Sequence, residues 1–452
     1  MSSWGESGAA DSRCLTSFGD YEPLILRAPS LESLQHETYG RFLRKSVLEP
    51  GVRLVLLRHG RNPSWPYIDT KFNPNTGIDL PMSSYDVIYS WFLGRGAESL
   101  VLHLEALDSF ELTEGEREEA ERLFPQLIAR TTVTIMALTR LYRGRCPFRV
   151  NKDLRLASAE EPAPEATGAG DLFCARALLL SRNEEQRKTG AAMLERVASR
   201  IELGLFDLEG ARVPAQGQSQ CMHMLFQAVP RLLVDRSECE PYRENLFQRS
   251  CQFIQYVLDK HYDPITRRFS EFIDPRTGER SEVLDPGHCT EFVGLGLSAI
   301  YAMEKVGTGM TPQRKKLFFR AKKIMPEMLL AAVEVGFKTA KEGMVKAVNN
   351  RTGEVIDSTM PWWNLPETMR AALFAALIAD NEAIQRECLA IFGKCHNAYF
   401  GKYLNRENML FPYQTRCGRS GEVLDTAPSV PEGDPLYHSN LCFLDILKRL
   451  ET

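Results

Sequence analysis

Apolar residues recur at every third or fourth position along most of the chain, whereas strict alternation of apolar and polar residues is rare. The first pattern places apolar side chains on one face of an α-helix, and a half-buried strand would need the second. The chain is therefore predicted to be mostly helical, although Pro125 is expected to kink or restart one helix. Three such stripes are Leu123, Leu127, Ile128, Ile135 and Leu138; Met193, Leu194, Val197 and Ile201; and Phe253, Ile254, Val257 and Leu258.

Local signals mark where some of these helices begin and end. Thr311 precedes Pro312 and a long amphipathic stretch, and a threonine N-cap followed by proline is typical of a helix start. Two further helical segments meet at Asp380 and Asn381. These segments are predicted to form a consecutive helical pair.

One turn type recurs in four places. Residues 73–79, 274–280, 349–355 and 418–423 each put a glycine after threonine or serine, behind Asn, Asp or Arg. Glycine adopts the positive φ that a tight hairpin needs, so each segment predicts a short β-hairpin. The chain thus reads as helical hairpins that carry small β-ribbons at one end.

The domain organisation is predicted from one polar stretch and one tail. Residues 157–171 are rich in Ala, Pro and Glu, which could mark a domain boundary, but helical patterning continues on both sides. A surface loop is the preferred interpretation. Residues 1–25 are expected to form a flexible tail, and residues 26–452 a single domain.

Charge and composition exclude several classes of partner. The 452 residues carry a formal net charge of -4, which gives no basic field for nucleic acid. The longest apolar stretches fall short of the ~20 residues of a membrane span, and the start of the chain lacks a secretory signal. Eleven cysteines without a C-x-x-C pair indicate a reducing compartment, so a cytoplasmic protein is expected. A homodimer is compatible with these features.

His288 has the most informative setting of the eight histidines. It follows Pro-Gly at the start of an apolar helix, with Glu291 three residues later on the same helical face. The helix dipole at this end is expected to lower the imidazole pKa and favour the neutral base, and Glu291 could hold the ring. Two alternatives stay open: a pair without chemistry, or an H-x-x-E half-site for a metal.

A second histidine has a similar setting. His438 follows a proline at the start of the last apolar helix, and two histidines at two helix starts suit two-base proton transfer. The alternative is a histidine beside a capping Ser-Asn. His223 lies on an apolar helix, where a histidine of the core is the more common case. The remaining five histidines are expected to be surface or core residues.

Two other segments carry candidate binding residues. In "MPWWNLPETM", Trp362 and Trp363 offer flat apolar faces for sugar C–H groups, and Glu367 could bind hydroxyls. In "YSWFLGRGAESL", Arg95 stands between two glycines and could hold an oxyanion. Core packing and a surface charge are the respective alternatives.

Taken together, these segments resemble the N-acylglucosamine 2-epimerase superfamily, which includes cellobiose 2-epimerases and sugar aldose–ketose isomerases. "DPGHCTEF" resembles its P-G-H-x-x-E signature and "PWWNLPETM" its W-W-x-x-x-E motif. "YSWFLGRGAE" is similar to its W-x-x-G-R segment, "CMHMLFQA" to its M-H-L-x-E-A helix, and "LYHSNLCFLDI" to its final H-x-x-R helix. The matches keep the family's order from about residue 40 to the end.

The resemblance implies an all-α fold, an (α/α)6 barrel, with a small sugar as substrate and neither metal nor cofactor. It implies that His288 and His438 are the two acid/base residues, that Glu291 assists the first, and that Arg95 lies near O1 and O2. The reaction implied is 2-epimerisation or aldose–ketose isomerisation, through an enediolate, of a free hexose with or without an N-acyl group. The substrate-binding residues implied are His223, Trp362, Trp363 and Glu367.

The chain also departs from the family's pattern. Leu441 stands where the family has the arginine of the final helix, and Gln227 where it has a glutamate. Two alternatives therefore stay open. One is a catalytically altered relative that binds a sugar or a protein. The other is a six-hairpin glycoside hydrolase or lyase, for which Glu291 and Glu367 are the obvious carboxylate pair.

Overall fold

The computed structural model describes residues 22–157, 166–206, 217–407, 410–428 and 430–451. The α-helices in this part of the chain are α1 (Leu31–Gln35), α2 (Glu37–Leu43), α3 (Glu49–Arg61), α4 (Ser90–Ala106), α5 (Glu114–Leu141), α6 (Ala169–Leu179), α7 (Glu184–Glu202), α8 (Cys221–Phe226), α9 (Val229–Leu233), α10 (Glu240–Lys260), α11 (Pro286–Val306), α12 (Pro312–Gly336), α13 (Asn364–Ile378), α14 (Glu382–Ala398) and α15 (Cys442–Leu450).

Short strands and a few short 3-10 and π-helical turns make up the rest of the regular structure in the described residues. The strands are β1 (Val87–Tyr89), β2 (Arg149–Asn151), β3 (Gln218–Ser219), β4 (Tyr262–Asp263), β5 (Arg268–Phe269), β6 (Phe272–Ile273), β7 (Val283–Leu284), β8 (Phe337–Lys338), β9 (Gly343–Met344), β10 (Ala347–Asn349), β11 (Val355–Asp357), β12 (Thr359–Pro361), β13 (Thr415–Cys417) and β14 (Val423–Leu424). They pair antiparallel into ribbons of two or three strands.

Six inner helical segments form a closed ring within the described residues. In order, α4 contacts α6, α6 contacts α8, the α8–α9 pair contacts α11, α11 contacts α13, and α13 contacts α15. A π-helical turn, Tyr437–Leu441, precedes α15 and closes the ring onto α4. The outer helices pack behind this ring, for example α7 on α6 and α14 on α13. The predicted (α/α)6 barrel is confirmed.

The two layers differ in how apolar residues are distributed. Inner helix α13 is buried continuously from Asn364 to Ala376, as expected for a helix surrounded by protein on all sides. Outer helix α7 buries only one stripe, which includes Met193, Leu194 and Val197. A periodic apolar stripe in the sequence therefore marks an outer helix, whereas a continuous apolar run marks an inner helix.

Helix boundaries agree with the sequence signals, with one exception. The hydroxyl of Thr311 accepts a hydrogen bond from the amide of Arg314 at 3.2 Å and caps α12. Helices α13 and α14 are separated by a short connection at the predicted place. The expectation that Pro125 restarts a helix was wrong, because α5 runs unbroken from Glu114 to Leu141. Packing of its apolar face outweighs the single missing amide.

All four predicted hairpin turns are present and share one geometry. The amides of Gly77, Gly278, Gly353 and Gly421 each donate to the carbonyl four residues earlier, at 2.7–2.8 Å. Each glycine has φ between 72° and 83°, which explains the recurring residue. The ribbons lie at one end of the barrel: β1, β3, β7 and β12 lead directly into the inner helices α4, α8, α11 and α13.

Two parts of the predicted domain organisation lie outside the described residues. These are residues 1–21 of the expected tail and residues 158–165 of the expected surface loop. The assignment of residues 26–452 to a single domain stays a prediction. No helix in the described ranges is long and apolar enough to cross a membrane.

Four histidines are built into the helical core. Burial lowers the pKa of His103, His261 and His396 from the ordinary 6.5 to about 4, and that of His223 to about 3. Three of these rings bond a backbone carbonyl, as His396 Nε2 does with Leu24 at 2.8 Å. The expectation of surface or core positions is confirmed for His103, His261 and His396, which are core residues.

We expect the protein to lose stability when the pH is lowered from 7 to 5. Below 6.5 the unfolded chain takes up protons that the buried imidazoles do not, and each such group contributes up to about 1.4 kcal/mol per pH unit. The loss continues as the pH falls towards about 4, where the folded imidazoles titrate. The urea midpoint should therefore be lower at pH 5 than at pH 7, and this difference should be smaller in His396→Gln than in the parent protein. An equal or higher midpoint at pH 5 would contradict this.

Candidate active site

The start of α11 fixes the position of His288. Asp285 caps the helix, and its Oδ1 accepts hydrogen bonds from the amides of Gly287 at 3.0 Å and His288 at 3.2 Å. Pro286 occupies the first helical position. A Cβ at Gly287 would lie 2.1 Å from Oδ1 of Asn364 at the start of α13. The glycine of the Pro-Gly-His segment is thus required by the close approach of two inner helices.

Two carboxylates lie beside the His288 ring. Nδ1 is 3.2 Å from Oε2 of Glu271 and 3.4 Å from Oδ2 of Asp285, which are ion-pair distances without the alignment of a hydrogen bond. Lys346 pairs with the same oxygen of Asp285, Oδ2. Burial alone would lower the pKa of His288, but Asp285 and Glu271 raise it above its ordinary value. The expectation of a lowered pKa was wrong, because it considered the helix dipole and not these carboxylates.

Glu291 occupies a different position from the one predicted. It is buried, its Oε1 has no hydrogen-bond partner, and it is not among the ion-pair partners of His288 within the described ranges. Burial and the neighbouring Glu367 raise its pKa, whereas the fields of His438 and His288 lower it. Glu291 therefore lies in the field of both histidines without holding either ring. Its part in acid–base chemistry stays a prediction.

His438 lies in the π-helical turn before α15, and Glu367 holds its ring. Nδ1 of His438 is 2.8 Å from Oε1 of Glu367, and Sγ of Cys442 donates to the same oxygen at 3.0 Å. Arg370 pairs with the other oxygen. Although burial opposes ionisation, Arg370 and His438 lower the pKa of Glu367 to about 2. An ionised carboxylate can only accept, so Nδ1 of His438 is the donor.

Glu367 was predicted to bind the substrate ring, and that contact stays a prediction, because the contacts that the structure shows for Glu367 are with protein groups. Both of its oxygens are occupied by protein groups, and the residue is 1% exposed. It holds the His438 imidazole in one orientation and one tautomer. The arrangement is the familiar one in which a buried carboxylate orients a histidine for proton transfer.

The cluster around Glu367 also has the composition of a metal site. One ligand atom each from Glu367, His438 and Cys442 lie within 4.8 Å of one another. However, Arg370 already neutralises the carboxylate, and burial raises the pKa of the Cys442 thiol well above its ordinary value. A cation would have to displace a guanidinium and deprotonate the thiol. The residues fit a hydrogen-bonded cluster better than a metal site, and the absence of a metal stays a prediction.

Trp363 connects the two histidines. Its ring centroid lies 5.5 Å from that of His288 and 5.6 Å from that of His438, with an interplanar angle of 33° in both cases. Nζ of Lys346 lies 5.4 Å from the same indole. Trp362 is instead buried, and its Nε1 donates to Oε1 of Gln414 at 3.1 Å. Of the predicted tryptophan pair, Trp363 is the residue that lies beside both imidazoles, and a substrate contact of either indole stays a prediction.

Arg95 lies in α4 within an aromatic cage. Its guanidinium carbon is 4.3 Å from the ring centroid of Trp91, 4.4 Å from that of Phe173 and 4.6 Å from that of Tyr437. Within the described ranges, no carboxylate lies at ion-pair distance, Nε has no hydrogen-bond partner, and burial lowers the pKa of Arg95. Cation–π contacts hold this charge, which leaves its donors for an anionic or oxygen-rich ligand.

His223 lies in α8 and is packed like a core residue. Its ring stacks on that of Tyr256 with a centroid distance of 4.5 Å and an interplanar angle of 4°. The side chain of Gln227, which departs from the family's glutamate, donates to the His223 carbonyl at 3.0 Å and bonds Ser250. A substrate contact of His223 stays a prediction.

Several residues of the site were not anticipated from the sequence. Asp285 could have been found, because Asp-Pro-Gly is a helix-start signature. Arg370 could have been found as the one basic residue of an apolar helix, three residues after Glu367. Glu271 and Lys346 come from loops near the ribbons, and no local pattern marks them.

Comparison with known proteins places the fold. No protein-family model matches the chain, and no curated protein matches it. Among solved structures, it is similar to cellobiose 2-epimerase from Bacillus thermoamylovorans B4167, with a TM-score of 0.65 and 12% identity over 92% of this chain and 100% of the other. A D-mannose isomerase gives a TM-score of 0.63 and 14% identity, with 94% and 100% covered.

The same architecture occurs in a hydrolase. The unsaturated glucuronyl hydrolase from Bacillus sp. GL1 gives a TM-score of 0.50 and 14% identity, with 90% of this chain and 97% of the other covered. Identities this low establish a shared six-hairpin fold and nothing finer. Function must therefore be argued from the site itself.

We expect the two carboxylates beside His288 to have a measurable effect on the pKa of its ring. Glu271→Gln removes one of the two negative charges, so the pKa of His288 should move to a lower pH than in the parent protein. The matched control is Glu279→Gln, an exposed carboxylate of the turn that follows β6, which should leave the titration in place. Histidine Cε1 resonances followed by NMR over pH measure both. A shift to higher pH in Glu271→Gln would contradict the placement of these charges.

Proposed function

We propose that the protein is a sugar 2-epimerase or an aldose–ketose isomerase that acts on a free hexose. One observation carries the proposal: two imidazoles lie beside the same indole, and Nδ1 of each lies at ion-pair distance from a carboxylate. Within the described part of the chain, neither Nε2 has a protein partner. This arrangement suits two acid/base groups that present Nε2 to one ligand.

The chemistry begins with an open-chain sugar, whose C2 proton is weakly acidic because C1 is a carbonyl. A neutral imidazole removes this proton, the C2–H electron pair forms a C1–C2 double bond, and the carbonyl oxygen becomes an enediolate oxygen. The second histidine, as imidazolium, returns a proton to the opposite face of C2 and gives the 2-epimer. If the hydroxyl proton of O2 passes to O1 and the imidazolium returns its proton to C1, the C2–O bond becomes the carbonyl and the product is the ketose instead.

The two histidines differ in a way that suggests which of them is the acid and which is the base. The raised pKa of His288 favours its protonated form, which suits the acid. Glu367 fixes the Nδ1–H tautomer of His438, so a neutral His438 carries its lone pair on Nε2, which suits the base. In the reverse direction the two roles exchange. His288 and His438 are the proposed catalytic residues.

The other predicted residues are suited to bind the sugar or to stabilise charge on it. Arg95 has free donors and no carboxylate partner, and would stabilise the negative charge that develops on the enediolate oxygen. Glu291 is buried with an unpaired oxygen, Oε1, and would hydrogen-bond a sugar hydroxyl. Trp363 offers an apolar face to the sugar carbons. These three assignments are proposals of the same kind.

The contacts of the Glu367 carboxylate favour epimerase or isomerase chemistry over glycoside hydrolysis. A hydrolase needs two carboxylates that reach the scissile bond or its water. Both oxygens of Glu367 are occupied by Arg370 and His438, which leaves Glu291 without the partner predicted for it. The solved structures of similar fold include a cellobiose 2-epimerase and a D-mannose isomerase, which agrees with the proposal without deciding it.

We expect the protein to exchange the C2 proton of at least one free aldose with solvent. Incubation in D2O with glucose, mannose, N-acetylglucosamine and cellobiose, followed by NMR, measures this exchange directly. General acid–base groups contribute about 10²–10⁴-fold, so His288→Ala and His438→Ala should each reduce exchange by that order. His36→Ala, which alters an exposed histidine near the N-terminus, is the control and should retain the parent rate.

Two results would overturn the proposal. One is the absence of C2 exchange with every sugar of the panel while aryl glycosides are hydrolysed. The other is exchange that persists at the parent rate in both alanine variants. Circular dichroism of each variant shows whether a loss of exchange reflects the site or a loss of the fold.

A further inference from the structure

Charges of alternating sign run through the barrel behind His438, four of them buried and two, Arg231 and Asp445, half-buried. Glu367 pairs with Arg370, and Arg370 Nη1 lies 3.1 Å from Oδ2 of Asp445. The same Asp445 oxygen pairs with Arg231, whose Nη2 lies 3.0 Å from Oε1 of Glu98. Arg176 ends the series at Glu98. We name these six residues the charge chain: Glu367, Arg370, Asp445, Arg231, Glu98 and Arg176.

The charge chain links five of the six inner helical segments. Its members come from α4, α6, α9, α13 and α15, and α11 contributes none. Charges taken out of water are stable only when they are paired with good geometry, and an unpaired buried charge is strongly unfavourable. Each member therefore depends on its neighbours. Glu367 is the end of the charge chain that lies at the proposed site.

Arg370 is the member that acts on Glu367. Its Nη2 bonds Oε2 of Glu367, while the opposite oxygen accepts from His438 at 2.8 Å. Asp445 holds the other arm of the guanidinium. A carboxylate clamped in this way cannot rotate away from the imidazole. It also stays ionised, as its acceptor role towards the ring requires.

We propose that Arg370, held by Asp445, is the positioning residue that fixes the tautomer of His438 through Glu367. Its effect on turnover rests on the proposed function, whereas its effect on the tautomer does not. In the absence of this clamp, Glu367 can turn or take up a proton, and the neutral ring can then carry its proton on either nitrogen. Only the Nδ1–H form leaves a lone pair on Nε2 for a substrate.

Nitrogen-15 NMR of the histidine side chains measures the tautomer directly. At alkaline pH, His438 of the parent protein should show the Nδ1–H form. Arg370→Gln should show a mixture or the Nε2–H form, and Arg370→Lys should restore much of the Nδ1–H form by returning the charge. Arg231→Gln is the matched control, because it removes a cation from the same Asp445 oxygen without touching Glu367. It should destabilise the protein and leave the tautomer unchanged.

Kinetics on a sugar that undergoes C2 exchange give the second readout. Arg370→Gln should lower kcat by about 10- to 100-fold, a part of the 10²–10⁴-fold that an acid/base group contributes. KM should change by less than about threefold, because Arg370 is 2% exposed and does not reach a ligand. Arg370→Lys should recover most of kcat.

The outcomes separate this proposal from the proposed function. A changed tautomer without C2 exchange by any sugar supports the positioning role and removes the proposed function. An unchanged tautomer and kcat in Arg370→Gln overturn the positioning role and leave the proposed function in place. If Arg370→Gln does not fold, Asp445→Asn decides, since it frees one arm of Arg370. A tautomer mixture in that variant supports the proposal, and a fixed Nδ1–H form overturns it.

Discussion

The pairing of buried charges behind His438 is the constraint on which the site depends. Three arginines and three carboxylates lie inside the helical ring, where each is tolerable only beside its partner. The network therefore restricts how five inner helical segments can be arranged relative to one another. It also supplies Glu367 as an ionised acceptor for Nδ1 of His438. Fold and proposed chemistry thus share one set of interactions.

The other histidine is fixed by backbone geometry. A ribbon strand leads into α11, Asp285 caps the helix, and Gly287 allows Asn364 to approach the helix start. The same principle recurs at Gly94 of α4, where a Cβ would lie 2.3 Å from the backbone of Phe173, whose ring covers Arg95. Ribbons at one end of the barrel thereby deliver side chains from different inner helices to one region.

Much of the fold and part of the site follow from local sequence. Helical stripes, the Thr311 cap and the four glycine turns are short-range signals, and the structure agrees with them. The prediction of a lowered pKa for His288 was wrong because Glu271, seventeen residues away in the chain, lies beside its ring. The roles of Trp362 and Trp363 diverged because adjacent side chains point in different directions. Such contacts depend on how distant segments pack, and single-sequence patterns do not encode that packing.

The central claim is that His288 and His438 act on opposite faces of one sugar carbon. A crystal structure with an open-chain hexitol, such as D-glucitol, tests it most directly because the ligand resembles the ring-opened substrate. We predict that Nε2 of both histidines lies within about 3.5 Å of C2 or its hydroxyl, on opposite sides of the carbon chain. Arg95 should contact O1 or O2. A hexitol bound with both imidazoles on one face, or with either beyond reach, would contradict the two-histidine mechanism.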